Sequence, residues 1–145
     1  MKALIQRVTS ASVVVEGRTV GAIKTGLLVF VGVEKNDTLI EVDRMVNRLL
    51  SYRLFPDSED KMNFSVSDVR GGVLLVSQFT LAADTKSGTR PGFSTAKSPE
   101  EAQILYDYMV EQCKTKHNSV AAGVFGADMQ VSLVNDGPVT FMLTC

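Results

Sequence analysis

Two short stretches concentrate the residue types that could act on a substrate. Residues 76–81, VSQFTL, close an apolar run with two hydroxyls (Ser77 and Thr80), one amide (Gln78) and one aromatic ring (Phe79). Where a strand's pairing stops, backbone N–H groups are freed as well. Hydroxyl, amide and backbone donors together are the parts of a site that stabilises an oxyanion. They do not form a triad, because an activated Ser or Thr needs a base within hydrogen-bond reach and the single histidine, His117, is poorly placed. Strand-end Ser and Thr are also ordinary turn formers. In the second stretch, NDGPVTF at residues 135–141, Gly137 admits backbone conformations closed to other residues, and Pro138 removes a donor and raises the chance of a cis bond to about 5–6%. A plain turn satisfies that pattern too, but leaves its pairing with the first stretch unexplained.

The elements that must position these residues alternate between strand and helix. KALIQRVTSASVVV, a turn at EGR containing Gly17, and TVGAIKTGLLVFVGV predict a hairpin followed by a central strand. Asp37 is a candidate N-cap for a helix over TLIEVDRMVNRLLSYRLF. It places Ile40, Val42, Met45, Val46, Leu49 and Leu50 mostly on one face, and Pro56 ends the pattern. The polar PDSEDKMN reads as a turn. Its carboxylates Asp57, Glu59 and Asp60 suit that role better than metal binding, since no histidine or second acidic cluster accompanies them. GGVLLVSQF has the continuous apolar character of a strand buried on both faces, and leads into a long loop, AADTKSGTRPGFSTAK. The clearest helix start is SPEEAQILYDYMVEQCKTK, with Ser98 as N-cap, Pro99 at the first helical position and Glu101 three residues after the cap. His117 falls just past this helix, near solvent, where a cation suits the helix dipole. The tail from Ser119 alternates enough for two or three strands, with Asn135-Asp136-Gly137-Pro138 between the last two. The expected fold is α/β, a single domain over residues 1–145. It is β-rich and barrel-like, with mixed sheet layers and two main helices packed on one side.

Composition narrows the function. At 145 residues a folded domain buries roughly 68–70% of its unfolded surface, and no run of about 18 apolar residues is available to span a bilayer. The apolar residues near the N-terminus are interrupted by Gln6, Arg7, Thr9 and Ser10, so no export segment is expected and the protein is placed in the cytoplasm. Cys113 and Cys145 are too few for a disulfide framework and lack a C-x-x-C partner; reduced thiols and no metal site are expected. With 15 basic against 16 acidic residues, the chain lacks the basic excess of a protein that tracks long nucleic acid. That leaves room for a small contact with one end of an RNA.

Over essentially its whole length the sequence resembles the bacterial D-aminoacyl-tRNA deacylases, the D-Tyr-tRNA(Tyr) deacylase family. The likeness is carried by MKALIQRVTSASV, GLLVFVGV, SQFTLAADTKSGTRPGFS and NDGPVTF. Two family signatures, S-Q-F-T and N-x-G-P-x-T, are met by Ser77-Gln78-Phe79-Thr80 and by Asn135, Gly137, Pro138 and Thr140. The resemblance implies a homodimer in which a cis Gly137-Pro138 step reaches into the partner's site. There its carbonyls hold the substrate's α-amino group and leave no room for an L side chain. It implies that Ser77, Gln78, Phe79 and Thr80 line the catalytic pocket, that Phe125 and Met129 lie around the terminal adenine, and that Arg7 fixes the Gly-Pro orientation. Phe79 is missing from a relaxed animal branch, so its presence places the chain in the strictly D-selective branch.

The function so implied is hydrolysis of the ester between a D-amino acid, or glycine mischarged on tRNA(Ala), and the 3′-terminal adenosine of tRNA. It is assisted by the substrate's own 2′-hydroxyl and needs no metal or cofactor. The partners are a second copy and the aminoacyl-tRNA 3′ end. Lys86 and Arg90, in the loop after the first signature, are candidates for phosphate contacts, as well as for a merely solvated loop. Two rivals are separable by experiment: an esterase using Thr80 as nucleophile, which would cleave esters lacking adenosine, and a non-catalytic RNA-end binder, which would release no amino acid.

Overall fold

The first strand, β1 (Lys2–Val15), is long enough to serve three neighbours. In the computed structural model, which describes residues 1–145, a tight turn returns it into β2 (Arg18–Ile23). Glu16 and Gly17 both have positive φ, 49° and 78°, as a two-residue hairpin turn requires. β3 (Gly26–Gly32) then pairs antiparallel with the first half of β1, from Lys2 opposite Gly32 to Val8 opposite Gly26, while β2 takes the second half. The expected hairpin and central strand are both present.

Helix α1 (Leu39–Ser51) follows. Its N-cap is Thr38 rather than the expected Asp37: the Thr38 hydroxyl accepts from the Ile40 amide, and the Glu41 carboxylate accepts from the Thr38 amide. Asp37 has another task. Buried against the chain start, it accepts from the Met1 ammonium at 2.6 Å and from the Glu34 amide at 2.6 Å. Val42, Met45, Val46, Leu49 and Leu50 are buried as expected, whereas Ile40, in the first turn, stays exposed. A small hairpin, β4 (Phe55–Pro56) with β5 (Met62–Phe64), holds the acidic turn, where the Asp57 carboxylate accepts from the amides of Glu59 and Lys61. Those two bonds make it a turn former.

β6 (Gly72–Ser77) is parallel to β3, and the crossover between them is α1. After a short 3₁₀ turn (Phe79–Ala82) and the long loop comes α2 (Pro99–Lys116), capped by Ser98 with Pro99 in its first turn, as the sequence indicates. It leads to β7 (Val120–Ala122), parallel to β6. The last strand, β8 (Gln130–Thr144), runs antiparallel along the other edge of β1. It is one continuous strand. The Asn135–Pro138 stretch is therefore an excursion within it and not a link between two strands.

Alternation along β3 and β6 sorts side chains to the two faces of the sheet. Leu27, Val29, Val31, Val73 and Leu75 join both helices in the larger apolar cluster, while Leu28, Leu74 and Val76 meet Val8, Ala11 and Val13 in the smaller one, enclosed where the sheet curls. The outcome is the expected barrel-like mixed sheet with two helices on one side. No helix is long and apolar enough to cross a membrane. Cys113 and Cys145 are free; burial pushes the Cys113 thiol up to about 12, so it stays protonated. His117 differs from expectation: it is buried, with its Nε2 2.6 Å from the Gly71 carbonyl oxygen, because α2 ends against the start of β6 and not in solvent.

The Met1 ammonium, fully buried, sits between Asp37 and Glu34 and also donates to the Cys145 carbonyl at 2.9 Å. Burial raises the Glu34 carboxyl, but hydrogen bonding and charge from the Met1 ammonium, reinforced by Lys2, outweigh it and leave the group below its ordinary range. A depressed carboxyl contributes stability that is complete above the unfolded-state value and lost as pH falls through the folded-state value. Acid should therefore loosen this corner as Glu34 protonates. Asp37→Asn, which keeps the size but removes the charge of the buried partner, is expected to cost about 3 kcal/mol, read as a lower urea midpoint at unchanged slope.

Candidate functional site

β6 carries its last side chains to a point where the sheet ends. Its ladder with β3 closes at Ser77 opposite Val31, and the Gln78 amide makes one more bond, to the Val31 carbonyl at 2.7 Å. The chain then tightens: Leu81 N–H donates to the Gln78 carbonyl and Ala83 N–H to the Thr80 carbonyl. These bonds leave out the amides of Phe79 and Thr80, the first residues of the 3₁₀ turn, whose N–H groups have no intrahelical partner. The side-chain amide of Gln78 donates to the Thr80 hydroxyl, and both Phe79 and Thr80 are exposed.

Beside this strand end opens a cavity of about 450 Å³. Ser77, Gln78 and Phe79 form one side; Val31 of β3 and Val33 just past its end, Ala102 and Tyr106 from α2, and Phe125, Met129 and Val131 from the segment before β8 and its start form the others. The Tyr106 and Phe125 rings lie 5.8 Å apart. Tyr106 donates its hydroxyl to the Leu75 carbonyl at 2.9 Å, and burial raises its phenol well above the usual tyrosine range. It stays protonated and is committed to the sheet. Lys97, also at the cavity, donates to the Lys35 carbonyl. His117 touches Gly71, just before the opposite end of β6, roughly 20 Å from Ser77 along an extended chain. The cavity is apolar, ringed by hydrogen-bond donors, with no histidine or carboxylate among its lining residues.

The second signature lies elsewhere on the chain. Gln6 pairs with Thr140 and Val8 with Asn135, so a single residue of β1, Arg7, stands opposite four of β8: Asp136, Gly137, Pro138 and Val139. The surplus loops out as a large bulge. Asn135 staples its base: Oδ1 accepts from the Val139 amide at 2.9 Å, and Nδ2 donates to the Thr140 hydroxyl at 2.8 Å, which also receives the Gln6 side-chain amide. Arg7 braces it from below. Its Nε donates to the Asp136 carbonyl and lies 3.3 Å from the Asp136 carboxylate, and its Nη1 donates to the Leu54 carbonyl at 2.8 Å. Gly137 has φ 132°, and a Cβ there would lie 2.7 Å from Val139 Cγ2 and 3.2 Å from Arg7 Nη2. Only glycine fits. The Gly137-Pro138 peptide is cis, and both residues are exposed.

The structure thus brings Ser77, Gln78, Phe79, Phe125 and Met129 to one cavity, with Thr80 adjoining through Gln78. It places Arg7, Gly137 and Pro138 together but outside that cavity. Sequence reasoning missed Tyr106 and Ala102, whose i, i+4 spacing on α2 was a usable sign of a shared face. It also missed Phe93, whose ring lies 5.1 Å from that of Phe79 across the long loop and had no local signal.

Comparison with known proteins identifies the family. A family model described as D-Tyr-tRNA(Tyr) deacylase matches residues 4–144. A protein of Saccharophagus degradans named D-aminoacyl-tRNA deacylase is 62% identical over 144 residues, covering 99% of each chain. One of Pseudomonas fluorescens with the same name is 59% identical over 143 residues, again covering 99% of each. Among solved structures, one described as c-Myc DNA Unwinding Element Binding Protein superposes with a TM-score of 0.95 at 40% identity, covering 100% of this chain and 99% of that one. A probable eukaryotic D-amino acid tRNA deacylase gives 0.84 at 17% identity over 98% and 97% of the two chains, a likeness of fold alone.

Asn135→Ala removes both staple bonds at a partly exposed position. It should cost about 1 kcal/mol of stability and speed hydrogen exchange at the Val139 amide. An unchanged exchange rate at that amide would mean the bulge is held by Arg7 alone. His117→Ala should lower stability by about 2 kcal/mol through the unpartnered Gly71 carbonyl.

Proposed function

The chain belongs to the D-Tyr-tRNA(Tyr) deacylase family, and from that premise we propose that it is a proofreading hydrolase releasing free D-amino acid and tRNA from D-aminoacyl-tRNA. The observation that carries this reading is the apolar cavity at the end of β6, sized for a nucleoside and rimmed by Ser77, Gln78 and Phe79. Phe125 and Met129 supply flat and polarisable walls for the terminal adenine. Gln78 and the amides of Phe79 and Thr80 lie where negative charge builds on the ester carbonyl oxygen.

Water attacks the carbonyl carbon, the bond to the ribose 3′-oxygen breaks, and that oxygen needs a proton. The cavity lining offers no free base or acid to manage these transfers, since Tyr106 is held protonated and bonded to Leu75 and the Lys97 ammonium is bonded to the Lys35 carbonyl. The vicinal 2′-hydroxyl of the substrate is correctly placed to do so, and Thr80 has no partner that would make it a nucleophile. The protein's contribution is position and electrostatics.

Selection against L-amino acids falls to Gly137 and Pro138 of a second copy. Their separation from the cavity within one chain, their exposure, and the free outer edge of β8 with Val134 and Met142 uncovered all favour a two-fold dimer in which each bulge completes the neighbour's site. Main chain is suited to this task. A wall without side chains rejects every L residue alike and makes no demand on the D side chain. Glycine, having nothing to exclude, passes, so glycyl-tRNA mischarged on tRNA(Ala) is a substrate in this reading.

Matched D-Tyr-, L-Tyr- and Gly-tRNA should therefore be deacylated fast, not at all and fast, respectively. Comparable loss of L-Tyr would overturn the selection, and no release of amino acid from any of the three would overturn the activity. Thr80→Ala should keep most of its turnover, while a substrate ending in 2′-deoxyadenosine should lose at least about 100-fold. The reverse pattern would make Thr80 the nucleophile and the protein an esterase.

A further inference from the structure

The segment 85–97, TKSGTRPGFSTAK, has a charge pattern unlike the rest of the chain. It holds three of the fifteen basic residues, Lys86, Arg90 and Lys97, and none of the sixteen acidic ones, so the remainder of the protein is distinctly acidic. This local excess stands at the mouth of the cavity: Lys97 lines it, and Phe93 packs its ring against that of Phe79. The root of the segment is fixed. Asp84 and Gly92 exchange two backbone hydrogen bonds, at 2.7 and 3.0 Å; the Thr95 hydroxyl donates to the Ala82 carbonyl; and the Thr95 carbonyl accepts from the Lys35 amide at 2.9 Å. Beyond the Asp84–Gly92 pair the tip is exposed, and neither Lys86 nor Arg90 has a carboxylate within salt-bridge distance. Two unneutralised cations are thus carried on a rooted arm whose base touches the catalytic signature.

We infer that this arm is a docking element for the phosphates of the acceptor end, with Lys86 and Arg90 contacting the backbone of the nucleotides that precede the terminal adenosine. The inference rests on the proposed tRNA substrate. A cavity sized for one nucleoside leaves the adjoining phosphates outside it, and the arm is a cationic surface beside that exit. Contacts of this kind position the strand and read no sequence. Each phosphate neutralised releases condensed counterions, so the arm makes binding depend on salt. The Phe79–Phe93 ring pair fixes the arm's distance from Gln78 and the ester.

The test compares wild type with Lys86→Ser/Arg90→Ser and with the charge-keeping Lys86→Arg/Arg90→Lys. The serine pair should raise KM for D-Tyr-tRNA about ten-fold at low salt and leave kcat unchanged. It should also flatten the slope of log Kd for uncharged tRNA against log salt by roughly 1.4 to 1.8, while the charge-keeping pair behaves as wild type. With D-Tyr-adenosine, which carries no phosphate, all three proteins should have the same kcat/KM. An unaltered KM and salt slope in the serine pair would overturn the inference, as would an equal loss on D-Tyr-adenosine, which would make the loop a wall of the pocket. Wild type inactive on both substrates would instead reject the proposed reaction, while the salt slope with uncharged tRNA still reports on the arm.

Discussion

The structure around Gly137 and Pro138 depends on one mismatch: β8 stays paired with β1 while carrying four residues where β1 has only Arg7. A bulge of that size would unzip the edge of a sheet unless its base were closed by other bonds. Asn135 closes it with the amide and carbonyl of one side chain, and Arg7 spends its guanidinium on Asp136 and Leu54 rather than on solvent. The Arg7 bond to Leu54 matters because that residue enters the β4–β5 hairpin, so the bulge is tied to a part of the chain remote in sequence. Polar residues of the N-x-G-P-x-T signature therefore act on the protein itself, and the two residues without side-chain donors are left to face outward.

The same sheet explains why the cavity is where it is. Both faces of β3 and β6 are buried, one under the helices and the other inside the curl. Parallel strands flanked by crossover helices offer a crevice only beyond their carboxyl ends. β6 ends there at Ser77, and α2 begins beside it with Pro99 and Ala102 on the cavity wall. The strands fix the position of the first signature, and the 3₁₀ turn that follows redirects the chain so that Phe79 projects outward toward Phe93.

Much of this was legible from local pattern. The capped start of α2, the hairpin at Gly17 and the two-face burial of β6 follow from residue types at fixed spacing, and the structure repeats them. What pattern misjudged depends on contacts between distant segments. Asp37 has the chemistry of a helix cap, but a buried ammonium thirty-six residues away makes a stronger claim on its carboxylate. His117 follows a helix that ends in the core, and no local feature distinguishes that from one ending in water. Gly-Pro reads as a turn between strands because an excursion inside a paired strand looks the same until the partner β1 is known. The grouping of Ser77, Phe125 and Met129 came through the family resemblance, since nothing in their spacing predicts one cavity.

Discrimination between mirror-image substrates sets a demanding mechanical requirement. D- and L-aminoacyl esters share every functional group, so the only available difference is where the side chain points, and a barrier must be in the right place to within a fraction of a bond length. Displacement by about 1 Å in an active site costs about 100-fold in rate; in the proposed selector it would cost selectivity instead. A barrier built on an ordinary surface loop would not hold such tolerance. The bulge of β8 has its root closed by Asn135, its floor braced by a largely buried Arg7, and its backbone packed so closely at Gly137 that no side chain fits. Rigidity at the root with exposure at the tip is the combination that the proposed role, completing a second copy's site, would require. In the same reading the cavity would supply the complementary half, since its lining offers hydrogen-bond donors and apolar walls but no counterpart of the Gly137-Pro138 main chain. If, as proposed, the bulge completes the site of a second copy, a protomer alone would hold the adenosine and lack the means to choose, and association of two copies would be a condition of selectivity.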